Sequence, residues 1–349
     1  MREYLGEIVK CVRCGRCRTV CPTQQVQGWE SSGARGRMHM AMGMASGLEP
    51  SAGMVTSILT CTTCQQCVTA CPSGANPQQV TRAARRKLVG LGHATPHQLE
   101  MQERIRNTGN SLGDESSRTA WMTAPRVPGD SGYVYFAGCL ASYRYPSTAT
   151  ATYRILETFG VGLLENEQCC GSPLFRMGLD ASGVIEHNSR LFREAGAHTI
   201  IVGCAGCYSM FREQYQAFDV LHFSEFLDDR LDELSLGQCD ISVTYHDPCH
   251  LGRTYRIYDA PRNVIEKVCT LVEMKASKEN ASCCGGGGGV RLGYPELSGF
   301  ITEELTNNIP GSVDYVVTSC PLCFRNLSDA GINVMDLAEL VFMAMKKEG

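Results

Sequence analysis

The stretch CVRCGRCRTVCP at residues 11–22 returns as CTTCQQCVTACP at residues 61–72, and this repeat constrains the chain more than any other feature. Each frame reads C-x2-C-x2-C-x3-C-P, the spacing of an iron–sulfur ligand run in which three thiolates bind one cluster and the fourth crosses to the other. Crossing assigns Cys11, Cys14, Cys17 and Cys71 to one cubane [4Fe–4S] cluster and Cys61, Cys64, Cys67 and Cys21 to a second. The two frames are then a single folding module. Structural zinc also uses paired C-x2-C, but a four-cysteine frame occurring twice and ending each time in proline is not a zinc pattern. Pro22 and Pro72 suit a chain that turns away after its last ligand, where a fixed φ helps and no backbone donor is needed.

The 39 residues between Cys21 and Cys61, among them GARGRMHMAMGMASG, are too many for a compact βαβ repeat and are helix-prone. They predict a helical ferredoxin module. Met38, Met40, Met42 and Met44 alternate without helical period and are assigned to packing around the clusters.

Twenty cysteines in 349 residues could instead mean a secreted disulfide framework. The opening residues MREYLGEIVK lack an apolar core and a cleavage pattern, so the expectation is a cytoplasmic chain whose thiols bind metal. No run of about 18 apolar residues is present, and a membrane would be reached only through a partner. Residues 1–95 carry 11 Lys/Arg against 4 Asp/Glu in a chain of net charge −4. Arg13, Arg16 and Arg18 lie inside the first frame, so the excess reads first as compensation for anionic clusters, with a docking face for an acidic redox partner as the alternative. Nucleic acid is excluded, because the basic residues have no aromatic interleaving and the pI is about 6.1.

Residues 95–132 are polar and rich in Pro, Gly and Ser, which predicts a linker with one short helix. Beyond it the chain is duplicated. YVYFAGCLASYR at 133–144 is matched by SVTYHDPCHLGR at 242–253. CCGSPLFRMG at 169–178 is matched by CCGGGGGVRLG at 283–293, and TIIVGCAGCYSMF at 199–211 by YVVTSCPLCFRNL at 315–327. In each copy β-branched apolar runs end at a cysteine and alternate with helical stretches, predicting parallel, helix-covered strands with cysteines at their C-termini. In open α/β sheets ligands bind there. The expected boundaries are 1–94 for the helical module, 95–132 for the linker, 133–236 for the first repeat and 237–349 for the second.

The first copy contributes Cys139, Cys169, Cys170, Cys204 and Cys207, the second Cys249, Cys283, Cys284, Cys320 and Cys323. Five thiolates exceed what a cubane needs, and an adjacent Cys-Cys pair suits a thiolate-bridged or otherwise unusual cluster. Gly171 and Gly285 to Gly289 read as backbone passing close to such a group. They are not a phosphate loop, since no G-K-[ST] follows. Cys239 and Cys269 fall outside the pattern and read as plain thiols.

On these residues the chain resembles the CCG-domain iron–sulfur proteins, in the fused arrangement of the heterodisulfide reductase catalytic subunit. The resemblance spans nearly the whole chain. It implies an α+β multidomain fold, with a helical two-cluster ferredoxin module followed by two duplicated α/β CCG domains. It implies two non-cubane [4Fe–4S] clusters beside the two cubanes, and cleavage of the coenzyme M–coenzyme B disulfide with one sulfur going to each non-cubane cluster. The first copy departs in spacing, with 29 residues between Cys139 and Cys169 and 33 between Cys170 and Cys204, against 33 and 35 in the second. Electrons would come from a partner subunit, either a membrane cytochrome b or a soluble flavoprotein.

Disulfide reduction consumes two electrons and two protons. His246 and His250 flank Cys249 in HDPCH and are the candidate proton donors, unless they fold back onto the strand-end backbone or Asp247. Arg176, Arg253, Arg291 and Arg325 follow cysteines and could hold anionic groups of a small disulfide substrate. The family also contains electron-relay subunits, serving flavin dehydrogenases of the glycerol-3-phosphate, glycolate or lactate type and sulfur-metabolism membrane complexes. Completeness of both five-cysteine sets favours the reductase over the relay.

Overall fold

The computed structural model describes residues 2–122 and 131–345, and these form two compact units. Residues 123–130 of the expected linker lie outside the described residues. The first unit contains Met1–Gln102 together with Pro173–Asp180 and Ser282–Asn307. The second contains Glu103–Ser172, Ala181–Ala281 and Asn308–Gly349. Each copy of the duplicated half therefore gives the segment around or just beyond its Cys-Cys pair to the first unit.

Among the described residues the first unit holds helices and turns without a strand. Its N-terminal part contains helices Leu5–Val9, Pro22–Gln27, Ala34–Ala45, Ala52–Leu59 and Pro77–Gly90. Pro22 and Pro77 each begin a helix where the missing N–H costs nothing and the fixed φ suits the first turn. The Asn76 side chain accepts from Gln79 N at 3.0 Å, capping the longest of these helices. Ala34–Ala45 and Pro77–Gly90 pack on each other, and Met38, Ala41, Met44, Ile58, Val80, Ala84 and Leu88 form the core. The Met stripe is thus partly core: Met38 and Met44 are buried, while Met40 and Met42 pack against its edge.

The second unit carries two four-stranded, all-parallel sheets. The first comprises β1 (Tyr133–Phe136), β2 (Gly162–Leu163), β3 (Thr199–Val202) and β4 (Asp219–His222) in the order β2-β1-β3-β4. The second comprises β5 (Ser242–His246), β6 (Thr270–Leu271), β7 (Tyr315–Thr318) and β8 (Val334–Asp336) in the order β6-β5-β7-β8. The two orders are the same, so the repeat read from the cysteines is a repeat of topology. Helix Pro146–Glu157 of the first copy packs on Leu337–Ala344 of the second, and Phe223–Asp228 of the first on Asp259–Val268 of the second. One core runs through both copies, with Tyr153, Phe226 and Leu227 in the same buried cluster as Tyr245, Ile265 and Val341. The copies are therefore one folding unit, since neither sheet buries its apolar face alone.

Candidate iron–sulfur sites

In both N-terminal frames the loop bends at the same two positions. Arg13 and Gly15 have φ of 59° and 83°, and their counterparts Thr63 and Gln65 have φ of 58° and 66°. Left-handed backbone at a non-glycine residue is uncommon, and its recurrence at matching positions shows that the two frames share one loop conformation.

Cys21, Cys61, Cys64 and Cys67 line one small cavity together with Arg37, Thr62 and Thr63, which joins the first frame's last cysteine to the second frame's first three. Burial, then the nearby thiols of Cys61, Cys64 and Cys21, push the Cys67 thiol well above its ordinary range. The remaining four are less enclosed. Cys14 is exposed, Cys11 and Cys17 are half-buried, and Cys11 and Cys71 both pack against the edge of the helical core. Cys71 lies among donors. Against the effect of burial, the Ser73 hydroxyl at 3.4 Å and the N–H groups of Ser73, Ala75 and Gly74 lower its pKa.

In the second unit the first copy's cysteines stand at strand ends, as the sequence predicts. Cys139 follows β1 and opens helix Cys139–Tyr143, Cys169 and Cys170 follow β2, and Cys204 follows β3 at the head of helix Ala205–Gln214, which carries Cys207. These five thiols are in mutual contact: Cys139 meets Cys169, Cys170 meets Cys169 and Cys207, and Cys207 meets Cys204. The Cys169 contact and then burial raise Cys139 far above the usual thiol range. The contacts raise Cys139 and Cys207 and lower Cys170, so the five sulfurs form one buried, closely packed set of soft donors, and that set fits an iron–sulfur group, which binds them as thiolates.

Cys204 also meets Cys320, a cysteine of the second copy. Cys249 follows β5, Cys320 follows β7, and Cys323 lies on helix Pro321–Asp329, all in the second unit. Cys283 and Cys284 belong to the first unit, where Gly285 N donates to Cys283 Sγ at 3.4 Å and Thr302 Oγ1 to the Cys284 carbonyl at 3.0 Å.

His246 ends β5, is 1% exposed, and has no hydrogen-bond partner at either ring nitrogen among the described residues. A ring nitrogen lies within 4.8 Å of Cys323 Sγ. His246 does not fold back onto Asp247. That carboxylate is taken by Arg262 at 2.8 and 2.9 Å and by Lys278 N at 2.8 Å, with Glu273 completing the cluster on Arg262. His250 is buried. Of the four arginines proposed to hold an anion, Arg253 donates to the Ala281 carbonyl and Arg176 is buried.

The glycine run makes a close approach, as expected of it, but to protein backbone. A Cβ at Gly287 would lie 2.4 Å from Thr62 O, and one at Gly288 2.4 Å from Cys61 O. Sequence reasoning also missed the buried arginines that stand beside the cysteines, Arg37, Arg85 and Arg118. Arg118 comes from the expected linker, yet its guanidinium reaches Cys139 Sγ at 3.6 Å and Glu167 at 3.4 Å. Nothing local in a sequence separates a buried arginine from a surface one. The available signal was the excess of positive charge around the first frames.

Residues 7–75 match the 4Fe-4S dicluster domain, and residues 133–212 and 243–328 match the cysteine-rich CCG domain. Fold and site together define an iron–sulfur protein with a helical dicluster module and a duplicated cysteine-rich α/β half. The chain is 32% identical to a subunit of the dihydromethanophenazine:CoB–CoM heterodisulfide reductase of Methanosarcina acetivorans, over 98% of the chain and 95% of that protein. It is 31% identical to a subunit of the fumarate reductase (CoM/CoB) of Methanothermobacter marburgensis, over 96% of the chain and 72% of that protein. It is 24% identical to the glycolate oxidase iron–sulfur subunit of Escherichia coli, over 97% of the chain and 94% of that protein. The chain belongs to the family of CCG-domain iron–sulfur proteins that includes the heterodisulfide reductase subunits. Among the described residues no helix is long and apolar enough to cross a membrane.

Proposed function

We propose that this chain is the disulfide-reducing iron–sulfur subunit of a complex, converting the coenzyme M–coenzyme B heterodisulfide to its two thiols. The contact between Cys204 and Cys320 carries the reading, because it joins the cysteine sets of the two copies at strand ends within one folding unit. Bound iron–sulfur groups would supply the electrons one at a time. The assigned ligands are Cys11, Cys14, Cys17 and Cys71 for one cubane and Cys21, Cys61, Cys64 and Cys67 for the other. The two sets of five would hold non-cubane clusters. His246 is the group assigned to hold a proton near the second set, its ring nitrogens being buried without another hydrogen-bond partner. An electron-donating partner subunit, a membrane cytochrome b or a soluble flavoprotein, would feed the N-terminal module. The expected domain order is the helical module at 1–94, the connecting stretch at 95–132 and the repeats at 133–236 and 237–349.

The test is anaerobic purification, an iron count and electron paramagnetic resonance with candidate thiols. Four clusters of four give about 16 irons per chain. Oxidised protein given coenzyme M or coenzyme B thiol should show a new paramagnetic signal that Cys284→Ser abolishes together with disulfide turnover. A fully loaded chain with neither signal nor turnover would instead be an electron relay for a flavin dehydrogenase, a reading supported by the similarity to the glycolate oxidase iron–sulfur subunit.

A further inference from the structure

Two buried cations stand at the enclosed site of the first unit with no anion to match them. Arg37 is 2% exposed and Arg85 0%. Arg37 donates to Ser57 O at 2.7 Å, Thr23 Oγ1 at 3.0 Å and Thr60 Oγ1 at 3.2 Å, and its remaining nitrogen lies 3.9 Å from Cys21 Sγ. Arg85 spends its whole fork on carbonyls, those of Ile58, Leu59 and Cys61 in the helical module and of Arg176 and Gly288 in the segments beyond the two Cys-Cys pairs. Among the described residues neither guanidinium has a carboxylate partner.

Part of this is helix capping, since Ser57, Ile58 and Leu59 end helix Ala52–Leu59 and cations favour that pole. A helix terminus offers about half a charge, however, and two full charges are buried here. Leaving a buried ion uncompensated is strongly unfavourable, because the desolvation of the charge is not repaid. The group best placed to neutralise them is whatever fills the cavity bounded by Cys21, Cys61, Cys64 and Cys67, which Arg37 itself lines. The first frame contrasts with this. Arg35 and Arg18 are both paired there with Glu30, at 2.6 and 3.0 Å, and Cys14 is open to solvent.

We propose that Arg37 and Arg85 are the charge complement of the inner cluster site, Cys21–Cys61–Cys64–Cys67, and hold its reduction potential above that of the outer site, Cys11–Cys14–Cys17–Cys71. The inference rests on the assignment of both sites as cubanes. A cation beside a cluster ligand favours the state with one more electron, and the effect is strongest where water does not screen it. Electrons then pass inward from the exposed site to the buried one. Arg85 is also a positioning residue, because the nitrogens that bind Cys61 O, Arg176 O and Gly288 O fix the inner site's loop against both segments that follow the cysteine pairs.

The experiment is an anaerobic redox titration of the cluster-loaded full chain followed by electron paramagnetic resonance. The inner signal is identified by its loss in Cys64→Ser and the outer by its loss in Cys14→Ser. The expected result is an inner midpoint above the outer one, lowered in Arg37→Gln and in Arg85→Gln, and held closer to wild type in Arg37→Lys and Arg85→Lys. The outer midpoint should stay put in all four variants. Unmoved inner midpoints in the Gln variants, Lys variants that shift as far as Gln, or a wild-type inner midpoint below the outer would each overturn the proposal. Where a Gln variant loses the inner signal, retention in its Lys counterpart supports the charge role and loss in both overturns it. A wild-type chain with no Cys64-dependent signal would fail the cubane assignment itself, a result distinct from unmoved potentials.

Discussion

Arg118 Nη2 lies 3.6 Å from Cys139 Sγ, and Arg118 is anchored on its other side by Glu167, whose carboxylate also accepts from Gly138 N at 3.1 Å. Burial pushes Glu167 up to about 7, with Arg118 and the Gly138 N–H acting against it, while Cys139 and Glu167 keep the buried Arg118 protonated despite desolvation. The triad sits at the first copy's cysteines and fixes the entry to helix Cys139–Tyr143. Removing Arg118 leaves a buried carboxyl without its cation. We expect Arg118→Ala to cost about 3–5 kcal/mol of stability, measured by denaturant unfolding under anaerobic conditions.

The same carboxyl gives a pH dependence of definite sign. Its folded-state pKa lies above the unfolded value, so between about pH 4.5 and 7 the folded chain binds a proton that the unfolded chain has lost. Stability attributable to Glu167 therefore falls as pH rises through that window, by an amount on the order of 3 kcal/mol for a shift of this size. Glu167→Gln should flatten that part of the stability profile. A profile unchanged by the substitution would remove Glu167 as the titrating group.

The frames and strands were legible because each is a short-range pattern. The x2-x2-x3 spacing and the apolar runs of β1, β3, β5 and β7 lie within a few residues of the cysteines they predict, and the duplication is visible because the same local patterns recur in both copies. Arg37, Arg85 and Arg118 were not legible, because burial of an arginine is decided by packing between distant segments, as when Arg85 collects carbonyls from Cys61, Arg176 and Gly288. The same holds for Pro173–Asp180 and Ser282–Asn307, whose sequences mark helices and turns but not the unit they join. The asymmetry between copies could have been read by aligning them, since Phe136 and Ala137 stand where the second copy has His246 and Asp247.

The buried pair of Arg262 and Asp247 belongs to the second copy alone. Asp247 is 2% exposed and holds both Arg262 and the Lys278 N–H. Asp247→Ala should destabilise the chain by about 3–5 kcal/mol, because Arg262 keeps only the partly exposed Glu273 as a carboxylate partner. Asp247→Asn should cost less, as one Arg262 contact survives as a neutral hydrogen bond. Thermal midpoints of the two variants, compared at equal iron content, check the order.

His246 offers a test of proton supply that separates it from a packing role. Its ring is buried at the end of β5, so His246→Ala opens a cavity and changes stability as well as chemistry. His246→Gln keeps a polar side chain of similar reach that cannot carry a proton. We expect the Gln variant to retain its iron and its unfolding midpoint while disulfide turnover falls roughly 10²–10⁴-fold, the range usual for a general acid. Full turnover in that variant would assign His246 to packing.

Glycine substitutions probe the close approach between the second copy's glycine run and the inner site. Gly288 has φ +63°, and a Cβ there would sit 2.4 Å from Cys61 O and 2.9 Å from an Arg85 nitrogen. Cys61 is one of the inner ligands assigned above, so Gly288→Ala strains the site twice, through its own left-handed backbone at roughly 1–2 kcal/mol and through displacement of the Cys61 carbonyl. Gly299 is the control, because it lies within helix Pro295–Thr306 with nothing within 4 Å of its added Cβ. Gly299→Ala should stabilise the chain by up to about 1 kcal/mol and leave every cluster signal intact. Gly288→Ala should diminish or shift the Cys64-dependent paramagnetic signal while the Cys14-dependent one stays as in wild type. Equal effects on both signals, or none on either, would mean that the Gly288 approach does not shape the inner site.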